Sequence, residues 1–363
     1  MTQLLPYPIE LSPYLAAWRF SLDAAGVPTR SNTILYHPTL IAQYALLQWR
    51  RYLAGQDERD KSAFLAQVRW LVAHETRIAD DAGGWPISSL SPHTFVEGSW
   101  LSATTQGNAL SGLVRAYQLT QETQFLKCAH RVAQTFARDI LDGGVASPIG
   151  KEGLFFEDVA IYPASHSFSG CVFALSGLYD YVTLTGNGAM REVIERGLST
   201  MHTLLAEFDT GFWAYSDLLD RPLVSPPQLL LQAELLAMLA TLSGRRDFLA
   251  YSLRWRHYHH QRLTRLRYRV AQYKAHYSHI LGKRIRARFF PVPQMSTPLQ
   301  VCIPITAFPV AGGMRAVLSS LMQVTAESWR ADYVTQYKGP NASDFTIYTF
   351  GTARMSPWQF PIV

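Results

Sequence analysis

The sequence has few cysteines, no secretion signal and no long apolar run. Residues 1–20 contain no basic segment followed by an apolar stretch, so they do not resemble a signal peptide. The sequence has no uninterrupted run of 18 apolar residues, so it contains no candidate for a membrane-spanning helix. The three cysteines, Cys128, Cys171 and Cys302, are far apart and have no CxxC spacing. This pattern predicts free thiols in a reducing compartment, so we expect a cytoplasmic protein.

Sequence motifs for several common chemistries are absent as well. The chain contains no GxxxxGK[ST] or GxGxxG loop, no HExxH pair and no recognisable Ser-His-Asp signature. We therefore expect no cofactor and no metal ion.

Positive charge is concentrated in one segment. The net charge is +6, yet residues 251–290 alone contain eleven Arg or Lys and no acid, so the remainder is net negative. Aromatic residues are interleaved with these cations, and an apolar stripe lies at Leu263, Leu266, Val270 and Tyr273. The pattern favours a helix that lies on a membrane surface or links two domains. No nucleic-acid partner is expected, because no reader motif is present.

Helical periodicity dominates from His37 to about Ile280. The segments NALSGLVRAYQLTQETQFL and CVFALSGLYDYVTLTGNGAM share small apolar residues, an aromatic residue and a polar turn after Leu-Thr. Helix pairs that recur every ~50–65 residues predict an array of helical hairpins. The less polar helix of each pair should line an inner ring, and the amphipathic helix should lie outside. Three loops combine aromatic residues with carboxylates or hydroxyls, at 83–88, 153–166 and 208–218, and form the candidate site.

The pattern changes after about residue 290. A Pro-rich stretch precedes a β-branched run, a Gly-Gly turn and a helical pattern, which together are typical of the opening of an α/β domain. We expect an N-terminal extension over 1–30, the hairpin domain over 31–260, a basic helix and linker over 261–298, and an incomplete α/β segment over 299–363.

Several stretches between Tyr36 and Tyr258 resemble the C-terminal domain of D-glucuronyl C5-epimerases. They are YHPTLIAQYAL, GGWP, WLSATTQGNALSGLVRAYQLT, FFED, SHSFSGCVFALSGLYDY and FDTGFWAYSDL. The resemblance implies a mainly α fold, an (α/α) toroid of helical hairpins, that acts on an acidic polysaccharide or oligosaccharide, with a homodimer also considered. Beyond it, FPVAGGM and the following RAVLSSLMQVTAESW resemble the start of a GT-B glycosyltransferase.

The resemblance also implies catalytic residues. Removal of the proton at C5 of a uronate requires a base on one face and an acid on the other. These roles would fall to Tyr215 and Tyr162, with Glu157 assisting. The chain departs from the family in two places. Val159 stands where the family has a tyrosine after its acidic pair, and a later Tyr-His-x-x-His segment is replaced by Pro227, Gln228, Leu229 and Gln232.

Five further residues are candidate substrate contacts, each with a structural alternative. Arg115 offers paired donors for a uronate carboxylate, or it binds a neighbouring acid. Trp85 is a stacking platform or a plug within its loop, and His166 is a substrate contact or a structural hydrogen-bonding residue. The full set is Gln106, Arg115, Trp85, Asp158 and His166. Because of the family departures, two other functions stay open: a non-catalytic glycan-binding toroid and a polysaccharide lyase.

Overall fold

Helices make up most of the described chain. The computed structural model describes residues 4–30, 35–90, 97–274, 300–304, 333–335 and 344–349. Residues 262–274 continue in helical conformation after the last helix that we number. The numbered helices are α1 (Ser12–Leu15), α2 (Pro38–Gly55), α3 (Glu58–Ala73), α4 (Ala103–Thr120), α5 (Thr123–Gln134), α6 (Phe168–Thr185), α7 (Gly188–Phe208), α8 (Pro226–Ser243) and α9 (Arg246–His260).

The strands are short and form small antiparallel sheets. Strands β1, β2 and β3 form one sheet in that order, while β4–β5, β6–β7 and β8–β9 form pairs. Their bounds are β1 (Phe20–Leu22), β2 (Pro28–Arg30), β3 (Leu35–Tyr36), β4 (Thr76–Arg77), β5 (Gly83–Gly84), β6 (Ile87–Leu90), β7 (Glu97–Trp100), β8 (Ala146–Ile149), β9 (Gly153–Phe156), β10 (Gln300–Pro304), β11 (Tyr333–Thr335) and β12 (Asp344–Thr349).

Helices α2 to α9 pair into four hairpins that share one kind of turn. Each first helix ends at a residue in left-handed conformation, whose amide bonds the carbonyl four residues earlier. The following residue is the N-cap of the second helix. Gly occupies the left-handed position in two hairpins, where it adopts positive φ without steric cost. The four turns are Gln56–Asp57, Gln121–Glu122, Gly186–Asn187 and Gly244–Arg245.

The first helix of each hairpin belongs to an inner layer. Helix α4 packs against α2 on one side and α6 on the other, and α6 also packs against α8. Every residue of α4 from Ala103 to Ala116 is buried, whereas α5 and α7 bury one face and expose the other. A helix that is buried on all sides must be surrounded by other elements. This arrangement confirms the mainly helical (α/α) toroid architecture of paired inner and outer helices.

The N-terminal residues are built into this core. Tyr7, Ile9 and Leu11 are buried, and the Trp49 indole donates to the carbonyl of Leu5 (2.9 Å). Farther along the segment, Tyr14 interacts electrostatically with Glu234 of α8. The segment therefore packs on the first inner helix and comes within electrostatic range of the last one.

The chain divides into two compact units, one of residues 1–87 and 100–268 and one of residues 88–99 and 269–363. In the second unit the three described strands near the C-terminus pair antiparallel in the order β10, β12, β11. The FPVAGGM turn and the following helix, on which the glycosyltransferase resemblance depends, lie outside the described residues. The predicted domain bounds stay predictions. Among the described residues, no helix is long and apolar enough to cross a membrane.

Candidate functional site

Long loops gather at one end of the helical array. The tight turns join each inner helix to its outer partner, so the long connections 135–167 and 209–225 lead to the N-termini of α6 and α8, and residues 100–102 lead to the N-terminus of α4. Backbone hydrogen bonds join these loops to one another: Ala103 N donates to Glu157 O (2.9 Å) and Phe168 N donates to Ser216 O (2.9 Å). The positive ends of the helix dipoles also lie at this end and favour negative charge nearby, such as the carboxylate of Asp158 at the start of α4.

Glu157 is a fully buried carboxylate that is held by several donors. It follows β9 directly, and its side chain has no solvent exposure. Oε1 accepts from the hydroxyl of Ser147 (2.5 Å), while Oε2 accepts from the backbone amide of His166 (2.8 Å). A longer contact joins the hydroxyl of Ser165 to Oε2 (3.5 Å). A buried carboxylate needs such donors, because removal of an ionised group from water is costly unless the group is hydrogen-bonded.

The imidazole of His166 also binds Glu157. Nδ1 lies 2.7 Å from Glu157 Oε1, and the ring packs against Phe155 with centroids 5.0 Å apart. An ionised carboxylate can only accept, so Nδ1 carries the proton of this contact. The side chain of His166 is 25% exposed, and among the described residues Nε2 has no hydrogen-bond partner. The structure thus presents a fixed imidazole whose second nitrogen is available for a ligand.

Tyr162 lies in the same loop, four residues before His166, and is 46% exposed. Partial burial raises the pKa of its hydroxyl, and the negative charges of Asp139 and Glu157 raise that pKa further. At neutral pH the phenol therefore keeps its proton, which suits a proton donor better than a base. Asp158, next to Glu157, accepts from Ser102 Oγ (2.5 Å) and from the amide of Thr104 (3.2 Å), and so helps to cap α4.

Tyr215 lies in the neighbouring loop and is half-buried. Its amide donates to Phe208 O (2.9 Å), and its carbonyl accepts from Gln232 Nε2 (3.2 Å). Gln232 lies where the sequence departs from the Tyr-His-x-x-His segment that the resemblance leads one to expect, and Gln228, at the same departure, forms the capping box of α8 with Ser225. In this chain these replacements order the helix start and the Tyr215 loop.

Trp85 and Gln106 have structural roles in place of the predicted substrate contacts. The Trp85 side chain is buried, and its indole N–H donates to Leu71 O (2.9 Å). Gln106, fully buried in α4, accepts from the amide of Trp85 (3.3 Å) and donates to Gly83 O (3.2 Å). A buried amide that is satisfied on both sides fixes the GGW loop against α4.

Arg115 likewise has a structural role in place of the predicted uronate contact. Its side chain is fully buried and forms an ion pair with Asp180 of α6. The remaining donors bind the carbonyls of Leu5, Pro6 and Ser111. All five N–H groups of the guanidinium therefore have partners within the protein. Arg115 lies nine positions after Gln106 in α4, ~13 Å farther along the helix and thus away from the helix start at which the loops gather.

The sequence had not pointed to the hydroxyls around Glu157. Ser147 lies in β8 and Ser165 in the loop before α6, and both side chains are buried. The sequence feature that could have pointed to Ser147 is the pair of short segments ASPI and GLFF. A glycine-containing turn separates the two segments, and they form a β-hairpin. Within the described residues, no three His, Cys, Asp or Glu side chains come close enough together to hold a metal ion.

Comparison with known protein families finds a match over most of the helical region. Residues 79–257 match the family model described as the D-glucuronyl C5-epimerase C-terminus. A D-glucuronyl C5-epimerase of Caenorhabditis elegans is 29% identical over 196 residues, which are 50% of this chain and 31% of that protein. The match therefore spans about a third of the nematode protein's length. An uncharacterized protein of Methanocaldococcus jannaschii is 25% identical over 232 residues, 63% of this chain and 69% of that one.

Solved structures show only distant likeness. An α-mannanase from Bacteroides thetaiotaomicron superposes with a TM-score of 0.46 and 10% identity, over 67% of this chain and 63% of that one. The unsaturated glucuronyl hydrolase of Bacillus sp. GL1 superposes with a TM-score of 0.40 and 16% identity, over 59% of each chain.

Proposed function

We propose that this protein epimerises glucuronate to iduronate at C5 within a glycan. The observation that carries the proposal is the cluster of Glu157, His166 and Tyr162 in one loop, beside the N-termini of inner helices α4 and α6. The match of residues 79–257 to the epimerase family model supports it. The acidic polysaccharide or oligosaccharide that would bind here carries a carboxylate on each reacting sugar.

The chemistry makes three demands on such a site. Abstraction of the C5 proton leaves negative charge spread over C5 and the adjacent carboxylate, so the site must stabilise an anion. One group must take the proton, and another must return a proton to the opposite face. The positive ends of the α4 and α6 dipoles lie at the loop cluster and would serve the first demand through the field of the helices, since the first amides of α4 already donate within the protein.

The sequence resemblance assigned proton transfer to Tyr215 and Tyr162, with assistance from Glu157. The raised pKa of Tyr162 fits the role of the acid, because a protonated phenol can return a proton to C5. Tyr215 stays a candidate for the opposite face, since its loop is hydrogen-bonded to the Ser165–Phe168 segment through Leu218 N and Ser165 O (3.0 Å). Glu157 has its acceptor sites occupied by protein donors, which favours an indirect contribution.

Two alternatives predict different products. Structural roles for Arg115, Gln106 and Trp85, together with the replaced histidines, favour a glycan-binding toroid without catalysis. A polysaccharide lyase would begin with the same proton abstraction but would then eliminate at C4 and leave an unsaturated sugar.

The test is deuterium uptake at C5 when the full chain is incubated in D2O with unsulfated glucuronate polymers. Deuterium at C5 without absorbance from an unsaturated product supports the epimerase. Absorbance from an unsaturated product, whose C5 carries no hydrogen because it belongs to the new double bond, indicates the lyase. Binding of the polymers with neither deuterium uptake nor such absorbance would leave only the glycan-binding function.

Contact with a membrane surface through 251–290 stays a separate proposal. Leu253, Leu263 and Leu266 are exposed, and exposed arginines at 256, 262 and 265 lie among them in the sequence. Exposed apolar side chains combined with cations suit an anionic bilayer. Sedimentation with vesicles that contain anionic lipid, compared with neutral vesicles, tests the proposal, and equal recovery with both would contradict it.

A further inference from the structure

We infer that His166 is a proton-transfer group of the site and that Glu157 acts through it as a positioning residue. This inference rests on the proposed function and refines its chemistry. Neither the family resemblance nor the spacing of the sequence assigns proton transfer to this histidine.

The contacts of Glu157 distinguish a positioning role for the carboxylate from a proton-transfer role for the imidazole of His166. Three donors at 2.5–2.8 Å, the Ser147 hydroxyl and both the amide and Nδ1 of His166, occupy its two oxygens, and the carboxylate has no solvent exposure. A substrate carbon cannot approach a carboxylate that is enclosed in this way. The imidazole has the opposite character, because one nitrogen is held by the carboxylate and the other belongs to a partly exposed ring. A carboxylate that fixes the proton on Nδ1 leaves a lone pair on Nε2 to act as a base.

The backbone at His166 supports a functional reading. Its φ is +53°, a left-handed conformation that is strained for a non-glycine residue and persists only where the surroundings enforce it. Here the enforcing contact is the bond from the His166 amide to Glu157 Oε2, so one carboxylate fixes both the backbone and the ring. Other left-handed residues, Gln56 and Gln121, are explained as helix C-caps, an explanation that does not apply to His166.

The proton-transfer step balances without a further reactant. His166 Nε2 takes the C5 proton, the C5–H bond breaks, and its electron pair moves into the C5–carboxylate system as an enediolate. The carbanion carbon then takes a proton from an acid on the opposite face, for which the Tyr162 hydroxyl is the candidate. The imidazolium releases its proton to solvent, and the phenolate regains one from solvent. In D2O the returned proton is a deuteron, so turnover leaves deuterium at C5.

A positioning role for Glu157 predicts a separation of kcat from KM. Glu157→Gln should lower kcat and leave KM nearly unchanged, because Glu157 has no solvent exposure and holds the ring of His166 without itself meeting a ligand.

The experiment measures C5 deuterium uptake by the full chain for wild type, His166→Gln and His166→Gly. We expect both variants to lose ~10²–10⁴-fold in rate. Added imidazole should restore part of the rate of His166→Gly, because glycine accepts the left-handed backbone and leaves space for a free ring. The matched control is His202→Gln, because His202 also binds a carboxylate, that of Asp247, but lies exposed on outer helix α7. Its rate should equal that of wild type.

The outcomes separate this inference from the proposed function. Wild-type uptake that persists in folded His166→Gln and His166→Gly overturns the role of His166 and leaves the epimerase proposal standing. No uptake by wild type on any uronate polymer overturns the epimerase proposal, and the inference falls with it. Loss of uptake in His166→Gly that imidazole restores supports both.

Discussion

At the scale of single residues, the most heavily bonded charge in the core is Arg115. It lies at the crossing of α4, α6 and the N-terminal segment, where it binds Asp180 and the carbonyls of Leu5 and Pro6. Asp180 also accepts from the Ser111 hydroxyl (2.7 Å), so the ion pair is part of a network. Removal of one partner from such a pair leaves the other charge buried without compensation.

Replacement of this arginine should therefore be costly. We expect Arg115→Met to lower the free energy of unfolding by ~3–5 kcal/mol, since the largely buried carboxylate of Asp180 and the carbonyls of Leu5 and Pro6 lose their cation. Urea denaturation of the full chain measures the change. Lys61→Met is the control, because Lys61 pairs with Glu58 on the surface and an exposed pair contributes ~0–1 kcal/mol. Equal losses in the two variants would contradict a structural role for Arg115.

The sequence pointed to Arg115 and His166 as candidate substrate contacts but could not assign their hydrogen-bond partners. Arg115 and Asp180 lie in different hairpins, and the carbonyls come from a segment 109–110 residues earlier in the chain. The Glu157–His166 contact depends on a loop conformation with a left-handed residue, which residue spacing alone does not encode. Periodicity reports which face of a helix is buried, but not which polar groups meet there.

At the scale of the elements, α4 and α6 touch through glycines. A Cβ on Gly107 would lie 2.2 Å from Phe173 O, and one on Gly177 would lie 2.3 Å from Gly107 O. These backbones approach more closely than any side chain permits. Since α4 and α6 carry the site loops at their N-termini, their crossing also sets the distance between those loops.

Two glycines of α4 should respond oppositely to alanine. Gly107→Ala forces the helices apart, and we expect a loss of ~1–3 kcal/mol in unfolding free energy. A Cβ on Gly112 would meet only Val68 Cγ2, at 3.6 Å, so Gly112→Ala should gain ~0.5–1 kcal/mol from helix propensity. Chemical denaturation of both variants provides the comparison. A Gly107→Ala protein as stable as Gly112→Ala would show that the helices do not cross this closely.

The hairpins were predictable because their signals are local. Small apolar residues, the Leu-Thr ending and the polar turn mark the α4–α5 and α6–α7 hairpins, and both turns take the predicted positions. The β8–β9 hairpin was missed, since its two four-residue strands are too short to show a period. That hairpin carries Ser147 and leads into Glu157, so the site was only partly predictable.

At the scale of the whole helical unit, the N-terminal segment lies near both the first and the last inner helix. Glu234 of α8 interacts electrostatically with Glu10 of that segment, with Arg50 of α2 and with Arg256 of α9. A segment that the sequence suggested was an extension is thus part of the helical unit. Its apolar residues, such as Ile9 and Leu11, are too few to show a helical period.

Glu234 should make stability depend on pH. Burial raises its pKa in the folded protein, with a smaller contribution from Glu10, so the folded state binds the proton more tightly than the unfolded state does. The stability present at low pH is lost as pH rises through the folded pKa. Glu234→Gln should therefore be more stable than wild type at pH 7, with the gain disappearing below about pH 4.

Thermal unfolding at both pH values measures this difference. Glu58→Gln, at an exposed position on α3, is the control and should show no such pH-dependent gain. A Glu234→Gln protein that is less stable than wild type at pH 7 would contradict the cost of burying this carboxylate.

The claim on which the functional account depends is that glycan binds where Glu157 holds His166. Nitrogen-correlated NMR of the histidine rings in the full chain tests it directly, with the His166 signal assigned by its loss in His166→Gln. Titration with an unsulfated glucuronate oligosaccharide should shift the His166 signal in a saturable way and leave that of His202 unchanged, while a neutral glucan should shift neither. Binding of the oligosaccharide with no change at His166 would contradict the account.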